Sequence, residues 1–150
     1  MSVTNIIALL LALAVVIYAA AKKRAVPDSI SEIAYIIPHW AFSSWIAIIG
    51  ISLMPSMMDV LPDCWQWIGF LSVAGLFCVA ASAYYKTESA VLHYTGGCVC
   101  ALCATAVTAM TCPALLSAWV LYVVAMAWQK PSCWLFWAEV TVFTLLICAD

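Results

Sequence analysis

Residues 3–24, VTNIIALLLALAVVIYAAAKKR, set a long apolar run directly against three consecutive cations, Lys22, Lys23 and Arg24. The run is long enough to cross a bilayer, because a helix needs about 20 apolar residues to traverse the hydrocarbon core. The cations decide its direction. Positive loop charge collects on the cytoplasmic side, and a secretory signal carries its basic residues before the apolar run rather than after it. Ala19, Ala20 and Ala21 have the small side chains of a cleavage site, but nothing basic precedes Asn5. The expectation is therefore an uncleaved first helix with its N-terminus outside.

Working outward, the other two cations, Lys86 and Lys130, also fall in gaps between long apolar stretches. The stretches predict spans over about 3–21, 39–58, 64–85, 90–111, 114–129 and 132–149. Every cation then occupies an odd-numbered gap, and all of them face one side. The expected fold is all-α: a single integral membrane domain over residues 1–150, built as a polytopic bundle of six transmembrane helices, N-out and C-out, with short loops. That arrangement suits a bacterial inner membrane with Lys22, Lys86 and Lys130 cytoplasmic.

Composition points the same way. Charged residues make up 8% of the chain and apolar residues 68%, with a mean hydropathy of +1.13, whereas soluble domains are about 25% charged. A water-soluble monomer is excluded. The net charge of -2 includes no basic run able to track a phosphate backbone, which excludes nucleic acid as a partner. Membrane lipids are the expected surroundings, and so little extramembrane surface also suits a homo-oligomer.

Turn chemistry sits between the runs. Pro27, Asp28, Ser29, Ser31 and Glu32 break the first gap, and Ser29 and Glu32 have capping-box spacing. Pro38 suits an opening helical turn, and Pro55 is expected to kink or end the second helix. The fourth run carries two ridges of small residues, Gly97, Ala101, Thr105 and Ala109 beside Gly96, Cys100, Ala104, Thr108 and Cys112. Such ridges allow close backbone approach in lipid and mark this helix as central. The bulky first helix reads as peripheral. Trp40, Trp45, Trp65, Trp67, Trp128, Trp134 and Trp137 lie mostly near span ends, where an indole suits the headgroup level.

Sorted by depth, Asp28, Glu32, His39, Glu88 and His93 share one layer near the basic end. Glu139 joins them from the sixth span, because seven residues beyond Ser132 at 1.5 Å each place it about 10 Å inside. An intramembrane acid is costly and faces protein or a water-filled cavity, which makes Glu139 the leading candidate, with His39 and His93 as its natural partners. His93 opens the sequence His93-Tyr94-Thr95-Gly96-Gly97, where small residues leave room for a pocket. The candidate ligand- or proton-binding set is Glu139, His93, His39, Glu32, Glu88, Tyr94 and Thr95. A simple interhelical hydrogen bond from Glu139 to Thr141, Tyr94 or another hydroxyl is the competing reading. Two histidines and a carboxylate have the donor types of a hydrolytic zinc site. Their spacing matches no local motif such as HExxH, so no metal ligand and no cofactor is assigned.

Eight cysteines invite a redox reading. Cys98, Cys100 and Cys103 lie within the fourth span, where buried small side chains are the better account. Cys64, Cys112 and Cys148 fall near the outer face, and an oxidising compartment there would allow a Cys64–Cys112 disulfide.

Ser29, Ser31 and Glu32 before the second helix, Gly50 within it, Gly69 to Gly75 in the third, and His93-Tyr94 opening the fourth together resemble DRAM-like and related uncharacterised six-helix membrane proteins. The resemblance covers roughly residues 29–97. It implies a six-helix bundle and singles out Glu32 and His93, without supplying a reaction. Membrane ceramidase-like hydrolases are a more distant comparison, and the chain lacks their paired-histidine motif in a late helix. Three functions stay open: a non-enzymatic protein that binds or passes a small solute, proton or lipid through a polar pocket near the cytoplasmic side; a lipid-acting hydrolase with a His/carboxylate site; and an oligomeric structural or effector protein.

Overall fold

The computed structural model describes residues 2–87, 89–129 and 132–148, and all of its regular elements are helical. Six α-helices stand among the described residues: α1 (Val3–Lys23), α2 (His39–Val60), α3 (Gln66–Ala81), α4 (Ala90–Thr111), α5 (Ser117–Gln129) and α6 (Trp134–Cys148). Four segments are long and apolar enough to cross a membrane: α1, α2, Asp63–Ala81 and α4. Pro113–Gln129 and Trp134–Cys148 are shorter apolar helices.

Local chemistry explains the ends. The Ser2 hydroxyl accepts the Asn5 N–H at 3.1 Å and caps α1, satisfying one of the four N–H groups that every helix start leaves unpaired. Arg24 closes α1 in the left-handed region at φ 57. Pro113 opens a short 3-10 turn, Pro113–Leu116, that reverses the chain into α5.

Three expectations need correction. Pro55 neither ends nor interrupts α2, which continues to Val60. The residue after it is tied to α1: the Ser56 hydroxyl reaches Asn5 Oδ1 at 2.7 Å and lies 3.0 Å from the Leu53 carbonyl. The third helix stops at Ala81 rather than Tyr85, and residues 82–87 turn inward with Ser82, Ala83 and Tyr85 buried. Trp45 is a core residue, 4% exposed, whose indole N–H donates to the Leu11 carbonyl at 3.2 Å.

α4 packs most extensively on α3, which in turn packs on α2. The crossing depends on paired glycines. A Cβ at Gly75 would lie 2.6 Å from the Gly96 carbonyl oxygen, and one at Gly96 would lie 2.8 Å from that of Gly75. Only hydrogen fits at either position. Cys100, Ala104 and Thr108 continue the buried ridge, whereas a Cβ at Gly97, on the adjacent ridge, would meet nothing within 4 Å. α1 presents Val3, Ile6, Leu10, Leu13 and Ile17 outward.

The connection between α1 and α2 folds inward. Ser29, Ile30, Ser31, Ile33 and Ala34 are buried, and a 3-10 turn runs from Ser31 to Tyr35. Lys23 pins it from α1 through both Glu32 carboxylate oxygens, at 3.0 and 2.8 Å, and Lys22 Nζ donates to the Ile36 carbonyl at 2.7 Å. The Phe136 N–H of α6 bonds the Asp28 carbonyl at 3.0 Å. Tyr35 ties the same connection to the α3–α4 turn, its hydroxyl accepting the Lys86 N–H at 2.9 Å. The Lys22–Arg24 and Lys86 loops therefore share one end of the bundle.

Candidate functional site

The inward turn delivers Ser31 between two helices that do not otherwise touch at this level through their polar groups. Its hydroxyl donates to Glu139 Oε1 of α6 at 2.9 Å and lies 2.9 Å from His93 Nε2 of α4. The Ile30 N–H donates to Glu139 Oε2. A buried backbone N–H needs an internal partner, and Glu139 supplies it. On its other side, His93 Nδ1 lies 3.0 Å from the Ser82 carbonyl, which is free to accept because α3 has just ended. Tyr85 stacks on the imidazole with ring centroids 4.3 Å apart. Burial pushes the Tyr85 phenol above its ordinary pKa, so it stays a neutral donor.

Local turn chemistry holds this arrangement. The Ser29 hydroxyl accepts the Glu32 N–H at 3.0 Å, and Glu32 Oε2 accepts the Asp28 N–H at 2.6 Å, a near capping box shifted by one residue. Burial pushes the Glu32 carboxyl up, but the Lys23 ammonium, the Asp28 N–H and the more distant Lys86 outweigh it and hold the group below its ordinary value. Glu32 thus works from outside the site, fixing the turn that carries Ser31.

Beside the polar chain lies a cavity of about 250 Å³. Ser29, Ser31, His93, Tyr85, Tyr94 and Glu139 form its polar end. The remaining wall is apolar, from Phe42 and Ile46 of α2, Leu76 and Val79 of α3, Ala101 of α4, Trp119 of α5 and Leu135, Val142 and Phe143 of α6. Gly97 lies on the wall and leaves part of this space open. No lysine or arginine lines it among the described residues.

The candidates named from sequence separate clearly. Glu139 and His93 meet through Ser31, and Tyr94 lines the cavity. His39 lies tilted against Tyr84 instead, with centroids 5.1 Å apart, and Thr95 is exposed. Glu88 lies outside the described residues. Thr141 turns back to the Trp137 carbonyl of its own helix at 2.9 Å. Cys64 is an exposed free thiol and Cys112 a half-buried one. Among the described residues, no three His, Cys, Asp or Glu side chains converge as a metal ion would require.

Sequence reasoning noted Ser31 but did not place it at the site, and it did not name Ser29 or Tyr85 as site residues. A signal for them exists in the first gap, where Ile30, Ile33, Ala34, Ile36 and Ile37 alternate with the serines. A connection that apolar is poorly suited to the aqueous surface. No protein-family model, no curated protein and no solved structure matches the chain.

Proposed function

We propose that this protein is a non-enzymatic membrane component that binds one amphipathic, lipid-like molecule, its hydrocarbon part against α2, α3, α4 and α6 and its head beside Ser29, Ser31 and Glu139. The observation carrying this reading is the cavity's division into a hydrogen-bonding end and an otherwise apolar wall. Ligand pockets combine a large apolar lining with a few convergent polar groups in this way. The head carries no phosphate, because among the described residues no lysine or arginine stands on the wall to meet one. A hydroxyl- or amide-headed amphiphile fits the donors and acceptors present.

The reading includes a topology. All six helices cross the bilayer, with α5 and α6 accommodated by local thinning or by flanking residues that reach the interface. The shared end that carries Lys22 and Lys86 is cytoplasmic, as is Lys130, which is outside the described residues.

A hydrolase reading draws on one observation, the 2.9 Å approach of Ser31 Oγ to His93 Nε2, which has the geometry of a nucleophile and its base. Against it, the Ile30 N–H that could steady an oxyanion is already bound to Glu139. Binding is therefore the better account.

Native mass spectrometry of protein purified in mild detergent tests the proposal. Wild type should retain one lipid-mass adduct, and Gly97→Leu, which fills open space on the wall, should lose it while remaining folded. Equal retention by both proteins would rule this pocket out as the binding site.

A further inference from the structure

The contacts around His93 can be counted as protons. Three links run in series: the Ser82 carbonyl to Nδ1 at 3.0 Å, Nε2 to Ser31 Oγ at 2.9 Å, and Ser31 Oγ to Glu139 Oε1 at 2.9 Å. Each link needs one hydrogen. The Ser82 carbonyl can only accept, and the Ser82 hydroxyl, 3.4 Å from Nδ1, spends its hydrogen on the much closer Cys78 carbonyl, so Nδ1 carries a proton toward the Ser82 carbonyl. Ser31 has one hydroxyl hydrogen and can fill only one of its two links. A neutral imidazole beside an ionised carboxylate therefore leaves two lone pairs facing each other at hydrogen-bond distance. One further proton closes the chain. It resides either on Nε2, giving an imidazolium and a carboxylate, or on Glu139 Oε1, giving a neutral imidazole and a carboxylic acid.

We propose that Ser31 relays this single proton between Glu139 and His93. In one direction the Oε1–H bond of Glu139 breaks as its proton passes to Ser31 Oγ, while the original Ser31 O–H bond breaks and an N–H bond forms at His93 Nε2. The Nδ1–H stays on the Ser82 carbonyl. Atoms and net charge are the same before and after, and the three heavy-atom links keep their partners. The step needs no ligand, so it stands or falls separately from the lipid-binding reading.

The surroundings suit such an exchange. From the α3–α4 turn, Tyr85 covers the imidazole, with Lys86 Nζ 5.9 Å from the Tyr85 ring centroid. From α4, Tyr94 meets the imidazole edge-on, and Cys98 and Cys100 line the adjoining cavity. On the inward turn, Glu32 is occupied by Lys23, and on α2 His39 packs tilted against Tyr84. Within the series itself, Glu139 and His93 are the two groups that can exchange a proton through Ser31.

The test uses protein labelled with ¹⁵N-histidine in a His39→Gln background, so that only His93 is observed, together with infrared detection of the carboxylic C=O stretch. Glu139→Gln assigns that band. At fixed pH, changing temperature should raise the imidazolium signal of His93 as the Glu139 carboxylic band falls, with Nδ1 protonated throughout. Ser31→Ala should abolish this correlation, and Ser31→Thr, which keeps a hydroxyl, should retain it. Glu139→Gln should lock His93 as the neutral Nδ1–H form. The relay is overturned if the wild-type ring holds one protonation state over the whole range, if the two signals vary independently, or if Ser31→Ala preserves the correlation.

Discussion

Two buried polar clusters hold this bundle together, and they are built differently. Toward the N-terminal end of α1, Asn5 donates to the Ile147 carbonyl of α6 at 2.9 Å and accepts from Ser56 of α2 at 2.7 Å. Near the basic end, Ser31 joins Glu139 and His93. Both clusters cross-link three parts of the chain. The first uses an amide, a hydroxyl and a carbonyl, none of which titrates, and none of its residues lines the 250 Å³ cavity. The second uses a carboxyl and an imidazole and opens onto that cavity. An amide–hydroxyl pair is sufficient to fasten helices in lipid. Placing two ionisable groups where simpler polar groups would serve is costly and points to a use beyond fastening.

The largest expected effect comes from Glu139→Ala. It strands the buried Ile30 N–H and leaves the space of a carboxyl-bearing side chain empty, and an unsatisfied buried group alone costs about 1–3 kcal/mol. A loss on the order of 3 kcal/mol should appear in detergent unfolding. Gly75→Val drives a side chain into the Gly96 carbonyl and should cost about 1–3 kcal/mol by overpacking, read in the same assay. Asn5→Ala should cost about 1 kcal/mol, the usual scale of an interhelical hydrogen bond in a membrane protein. If Asn5→Ala proved as damaging as Glu139→Ala, the distinction between the two clusters would fail.

A smaller effect should appear in acid. The folded Glu32 carboxyl titrates below its ordinary value of 4.5. Its contribution to stability is therefore complete above that value and is lost as pH falls through the lower folded value. Glu32→Gln should flatten the acid limb of a stability–pH curve, and an unchanged limb would show that the Lys23–Glu32 pair does not anchor the turn. The smallest stability change, within about 0.5 kcal/mol, is expected for Gly97→Leu, since its side chain enters open space.

The six apolar runs were readable because each holds a helix and hydropathy is a local property of sequence. The close packing of α4 on α3 was readable from Gly96, Cys100, Ala104 and Thr108, whose four-residue spacing places them on one face, but α4 is not the central helix, being less buried than α2 or α3. The end of α3 was hidden, because Ser82, Ala83 and Tyr85 are apolar enough to continue a span, yet Ser82 and Tyr85 leave the helix to meet His93. Pro55 misled for the opposite reason: a local breaker lies inside a helix that continues to Val60. Depth alone brought Glu139 and His93 to one level. Their bridge was not legible, since Ser31 reaches them only after its connection folds inward, and that depends on Lys23, Glu32 and the first turn of α6 together.

The most direct measurement of the central claim is a high-resolution density map of the protein in lipid nanodiscs, inspected beside Ser29, Ser31 and Glu139. The account predicts one elongated density along Gly97, Val142 and Phe143, with its polar end at hydrogen-bonding distance from this trio. A closed, dry contact between α4 and α6 in place of the cavity would contradict it.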